Sequence, residues 1–126
     1  MKLIIPGKLP GMNEYISAER TNRYEAAAMK REAEKLVILA ARSSLRGWKA
    51  KGPVMMHYLW VEKDRKRDKD NISGYGRKII QDSLVKAKFL RNDGWNDIVG
   101  FTDSFGVDKG NPHIEVIIEE ISEWEK

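Results

Sequence analysis

The run Val54-Met55-Met56-His57-Tyr58-Leu59-Trp60-Val61-Glu62 constrains how the rest of this chain can be arranged. Val54, Met56, Tyr58 and Trp60 alternate with Met55, His57, Leu59 and Val61, and both sets are largely apolar. That pattern predicts a strand covered on both faces, hence central in its sheet. Gly52-Pro53 opens it, because both residues break regular structure. Beyond Glu62 the chain becomes charged, with Lys63, Arg65, Lys66, Arg67 and Lys69 interleaved with Asp64, Asp68 and Asp70. If the strand stays extended that far, Asp68 and Asp70 point to the same side.

Working outward, Leu3 to Ile5 reads as a short strand stopped by Pro6-Gly7, and Leu9-Pro10-Gly11-Met12-Asn13 as a turn-rich loop. Asn22 is placed to cap a helix, with Glu25 three residues on as in a capping box. Met29, Ala33, Leu36, Val37 and Ala40 then recur at helical spacing, opposite Lys30, Arg31, Lys35 and Arg42. That helix should fade near Leu45-Arg46-Gly47. On the other side, Asn71 is placed to cap a second helix reaching about Ala87, with Ile72, Tyr75, Ile79, Ile80, Leu84 and Val85 as its apolar face. Gly74 and Gly76 weaken that helix by about 1 kcal/mol each relative to alanine, and mark an irregular start or a close backbone approach. Ile98 to Phe105 and His113 to Ile121 read as a hairpin closed by Asp108-Lys109-Gly110-Asn111-Pro112. The expected fold is an α/β domain spanning residues 1–126, with one mixed sheet and two packed helices in the order β-α-β-α-β-β.

A chain of 126 residues can bury one real core. It has no cysteine, so disulfide frameworks and thiolate metal sites are excluded. Two histidines, His57 and His113, each lie in a strand-like run and are too few for a zinc site. No signal-peptide region or membrane-length apolar run is present, which predicts an intracellular, cytoplasmic protein. The net charge of +4 is uneven: +6 over residues 1–51, +6 over 63–91 and −7 over 92–126. A basic body with an acidic end suggests a polyanionic partner on one face.

Nucleophilic triads need a cysteine, or a serine near a histidine, and the sequence offers neither. No phosphate-cradling glycine loop occurs. Asp-x-Asp also appears in nucleotide-sugar transferases, whose nucleotide-binding domain is larger than this chain. What remains is metal-assisted phosphodiester chemistry, or no chemistry. Two carboxylates held close repel unless a cation lies between them, and Mg²⁺ takes carboxylates, waters and phosphate oxygens. Lys63, Arg65, Lys66, Arg67 and Lys69 could hold a polyanion against it. A solvated loop of mixed charge accounts for the same residues equally well. Trp48, Trp60 and Trp95 are more simply core residues than stacking platforms for bases.

The ordered set Asp68-Lys69-Asp70-Asn71, Lys78, Asp82-Ser83-Leu84, Lys86-Ala87, Phe89 and Asp93 resembles the RusA-type Holliday-junction resolvases. These crossover junction endodeoxyribonucleases are small, dimeric and Mg²⁺-dependent, and phages and prophages frequently carry them. Ile5-Pro6-Gly7 and Pro10-Gly11-Met12-Asn13 resemble the family's opening, so the likeness covers nearly the whole chain. It implies that Asp68, Asp70 and Asp93 are Mg²⁺ ligands and that Lys78 is the catalytic lysine. It further implies a homodimer acting on branched DNA in recombination and repair. Three features depart from the pattern. Lys78 lies four residues further from Asp70 than in the family's best-known member, Asn92 replaces an aspartate, and Asp97 adds a nearby carboxylate. A domain that grips branched DNA without cutting it, and a nuclease of broader structural specificity, are the alternatives.

Overall fold

Four strands form one mixed sheet, and their order follows from what each can bury. The computed structural model describes residues 1–121, so residues 122–126 of the expected domain lie outside the described residues. The elements are β1 (Lys2–Pro6), α1 (Met12–Thr21), α2 (Arg23–Leu45), β2 (Val54–Glu62), α3 (Lys69–Lys86), β3 (Ile98–Val107) and β4 (His113–Glu120). The strand order is β1-β4-β2-β3. β2 is central, as its composition requires, antiparallel to β4 and parallel to β3.

The expected β3–β4 hairpin does not form, because β2 lies between the two strands. The connection after Val107 instead steps across the end of β2, where the Asp108 N–H donates to the Glu62 carbonyl at 2.8 Å. β4 buries Ile114, Val116 and Ile118 and pairs on both edges, with β1 and with β2. β3 carries Gly100, Thr102, Ser104 and Gly106 on alternate positions and contributes no fully buried residue. Such a strand suits a sheet edge.

The helices cover one face of the sheet only. Leu3, Ile5, Val54, Met56, Tyr58, Trp60, Ile114, Val116 and Ile118 share a core with Ala33, Val37, Ala41 and Leu45 of α2 and Ile72, Ile79, Ile80 and Leu84 of α3. On the other face Met55, His57 and Leu59 are half-buried, and Ile4 and Ile117 are exposed. The double apolar set in β2 therefore marks its central place, but not cover on both faces.

A third helix was absent from the sequence reading. α1 begins at Met12, inside the stretch read as a loop, and buries only Ala18 while Tyr15 stacks on Tyr75 with ring centroids 4.4 Å apart. Asn22 then caps α2 as expected, its Oδ1 accepting the Glu25 N–H at 2.7 Å. α2 ends where glycine suggested, with Arg46 and Gly47 both in the left-handed region. No helix among the described residues is long and apolar enough to cross a membrane.

Candidate active site

β2 ends at Glu62, so Asp68 and Asp70 are not carried on an extended strand as expected. Asp68 is the N-cap of α3, and Asp70 lies in its first turn. Both carboxylates are exposed and line one cavity of about 950 Å³, together with Glu62, Asp64, Arg65 and Lys69. An N-cap aspartate ordinarily accepts a backbone N–H from the following turn. Here the Asp68 side chain makes no such bond. Among the described residues, neither Asp68 nor Asp70 has an ion-pair partner. Both carboxylates sit at the positive end of a helix, which stabilises their negative charge, with their lone pairs uncommitted among the described residues.

Asn71 does not cap α3. Its Oδ1 accepts the Asn13 N–H at 2.7 Å, supplying a partner for an otherwise unmatched donor in the first turn of α1. A Cβ on Gly11 would come within 2.7 Å of the Asn71 amide, which accounts for glycine at that position. The Asp68–Asn71 segment is thereby fixed to the start of α1.

Arg67 tightens the same joint. Its Nε and one terminal nitrogen donate to the two Glu62 carboxylate oxygens, each at 2.9 Å, and the other terminal nitrogen reaches the Leu9 carbonyl at 3.0 Å and Glu14 at 3.2 Å. Burial works against its charge, but the Glu62 and Glu14 carboxylates more than offset this and raise its pKa. Arg67 is thus a structural pin, not a cation held out to a polyanion. The other residues of the expected basic contact, Lys63, Arg65, Lys66 and Lys69, are exposed. Lys69 also lies over the Phe105 ring, 5.6 Å from its centroid.

Lys78 and Asp93 form a second group farther along α3. Eight residues separate Lys78 from Asp70, which is about 12 Å along a helix axis. Lys78 Nζ donates to Asp82 Oδ1 at 3.1 Å and lies 4.0 Å from Asp93 Oδ2. Lys30 Nζ, from α2, donates to the other Asp82 oxygen at 2.9 Å. Burial pushes the Asp82 carboxyl up, but hydrogen bonds from Lys30 and Lys78 outweigh it and hold the carboxyl below the ordinary aspartate range. The three carboxylates expected to share one ion are therefore divided, Asp68 and Asp70 at the start of α3 and Asp93 beside Lys78. Among the described residues, no group of three histidine, aspartate or glutamate side chains is close enough to hold a metal ion. Asp97 is committed elsewhere, its Oδ1 accepting from Arg91 at 3.0 Å and its carbonyl from the Val54 N–H at 2.9 Å.

Lys30 and Asp103 were missed by the sequence reading. Lys30 looked like a solvating cation on the outer face of its helix. Asp103 accepts the Trp60 indole N–H at 2.9 Å and pairs with Arg77, tying β3 to both β2 and α3. Neither residue has a local sequence signal, since each partner lies on a different element. A scan against protein-family models matches no family, and a search of the curated proteins finds no relative.

Proposed function

We propose that this chain is a Mg²⁺-dependent endodeoxyribonuclease that resolves four-way branched DNA, of the kind its ordered motifs resemble. One observation carries the reading: two exposed carboxylates, without ion-pair partners among the described residues, line a single large cavity whose rim also holds Arg65 and Lys69. Asp68 and Asp70 would hold the ion. When bound, Mg²⁺ supplies Lewis acidity toward a phosphate oxygen and lowers the pKa of a bound water. The chain's own residues do the rest. Arg65, Lys66 and Lys69 hold the DNA backbone by charge, and the joint of Arg67, Glu62 and Asn71 keeps both carboxylates in place before DNA arrives. Lys78, about 12 Å along the helix axis from Asp70, meets a neighbouring phosphate of the same strand, with Asp82 orienting its ammonium. Cutting two strands symmetrically calls for a two-fold dimer with two such sites.

Asp68→Asn and Asp70→Asn test the reading. Each should lower Mg²⁺-dependent cleavage of a junction by roughly a hundredfold or more, the order seen when a preorganised charge is removed from a site. Junction affinity in the absence of metal should not fall, since each change removes a charge repelling phosphate. Near-normal cleavage by either variant would remove that residue from the ligand set.

A second reading is favoured by the division of the acidic residues: a protein that binds branched DNA without cutting it. It predicts junction binding by the wild type with no nicks at any Mg²⁺ concentration.

A further inference from the structure

We propose that the cavity between Trp95 and Phe101 seats one unpaired DNA base, which rests on the nuclease reading and adds to it a preference for splayed or single-stranded DNA. The three tryptophans that sequence alone assigned to the core separate on this point. Trp60 is 1% exposed, and Trp48 is half-buried with its indole N–H donating to Glu120 at 3.1 Å. Trp95 is 88% exposed, and its indole N–H has no partner among the described residues.

Trp95 does not ride on a loose loop. The turn carrying it is closed by the Asp97 and Ile98 N–H groups, which both donate to the Gly94 carbonyl at 3.0 and 3.1 Å. Arg91 braces it from outside through Asp97. The ring is thus held out into solvent beside a cavity of about 320 Å³ that is also lined by Gln81, Asp93, Ile98 and Phe101. Phe101 is 47% exposed, and the Arg77 guanidinium lies 4.4 Å from its ring centroid.

A single exposed aromatic is ordinary on a protein surface. Two of them bordering one cavity, next to cations, ask for a particular occupant. A nucleobase offers a flat π-face to each ring, and stacking on aromatics is how unpaired bases are held without sequence readout. The volume falls at the small end of the range for small-molecule pockets, roughly 300–1,000 Å³. Lys78, 60% exposed, lies 4.0 Å from Asp93, which lines the cavity, and is placed to meet the phosphate attached to such a base. In an intact duplex both faces of a base are already stacked, so the pocket selects unpaired nucleotides.

The test is binding of a fluorescein-labelled twelve-residue oligothymidine and of a blunt duplex of equal length, in EDTA, to wild type, Trp95→Ala and Trp95→Phe. Trp95→Ala should weaken oligothymidine binding by roughly 5- to 150-fold, the range corresponding to about 1–3 kcal/mol per stacked base. Trp95→Phe should retain most of the affinity, and duplex binding should be alike in all three. Circular dichroism checks that the variants fold, as an exposed side chain allows. Unchanged oligothymidine binding by Trp95→Ala would overturn the proposal. So would an equal loss for duplex, failure of the wild type to bind oligothymidine, or a change of oligomeric state on sedimentation, which would make the face a contact between copies. Wild-type junction cleavage in Mg²⁺, scored in parallel, reports on the nuclease reading separately. Cleavage with Trp95-independent binding overturns the pocket alone, and Trp95-dependent binding without cleavage overturns the nuclease reading alone.

Discussion

Arg67 and Lys66 are neighbours in sequence with different duties. Arg67 donates to Glu62, Glu14 and the Leu9 carbonyl, with a side chain only 13% exposed, whereas Lys66 is exposed. Arg67→Ala leaves the half-buried Glu62 carboxylate unpaired and should cost about 2 kcal/mol or more of stability, read from a urea midpoint. Lys66→Ala should change stability by less than about 0.5 kcal/mol and instead weaken DNA binding. A basic run gives no sign of which member turns inward, because the partners at Leu9, Glu14 and Glu62 are brought there by the fold. Asp93 poses the matching question among the acids. As a ligand, its replacement in Asp93→Asn raises the Mg²⁺ concentration needed for half-maximal cleavage. As a counter-ion of Lys78, it lowers the maximal rate and leaves that concentration unchanged. Asp97→Asn should leave substantial activity, since Asp97 serves Arg91 and the turn before β3.

Helix α3 joins the two charged groups, and its glycines show what its packing demands. A Cβ on Gly76 would meet the Trp60 ring at 2.7 Å, whereas one on Gly74 would find only the Met12 methyl at 3.8 Å. Trp60 is buried at the centre of the sheet and cannot yield cheaply. Gly76→Ala should therefore destabilise by about 1–3 kcal/mol through overpacking, while Gly74→Ala should stabilise by about 0.5–1 kcal/mol through helix propensity. Thermal or urea unfolding of the two variants checks the pair, and equal effects would contradict this account of the close approach. The sequence reading allowed for that approach without locating it, since the neighbour lies on β2. β2, α2 and α3 were legible because each has a long apolar pattern with stop signals at its ends. α1 was not, because Met12–Thr21 is short, follows the helix-breaking pair Pro10-Gly11 and buries a single alanine. The β3–β4 pairing was misread because a short turn-rich connection signals reversal of the chain, not which strand will be its neighbour.

Taken together, the molecule is a helix-covered sheet that places the Asp68–Asp70 pair at the start of α3 and the Lys78–Asp93 group about midway along it. The pair was legible in the sequence as an acidic couple within a basic stretch. Its separation from Asp93 was not, because that depends on α3 running unbroken from Lys69 to Lys86. The central claim is that Asp68 and Asp70 serve phosphodiester hydrolysis at branched DNA. Its most direct test is incubation of the wild-type chain with an end-labelled four-way junction and a linear duplex of matched sequence, each with Mg²⁺ and with EDTA. The account predicts symmetric nicks in two opposing strands of the junction with Mg²⁺, and intact DNA in the duplex and EDTA lanes. A junction that is bound, shown by a mobility shift, yet remains uncut across a Mg²⁺ titration would contradict it.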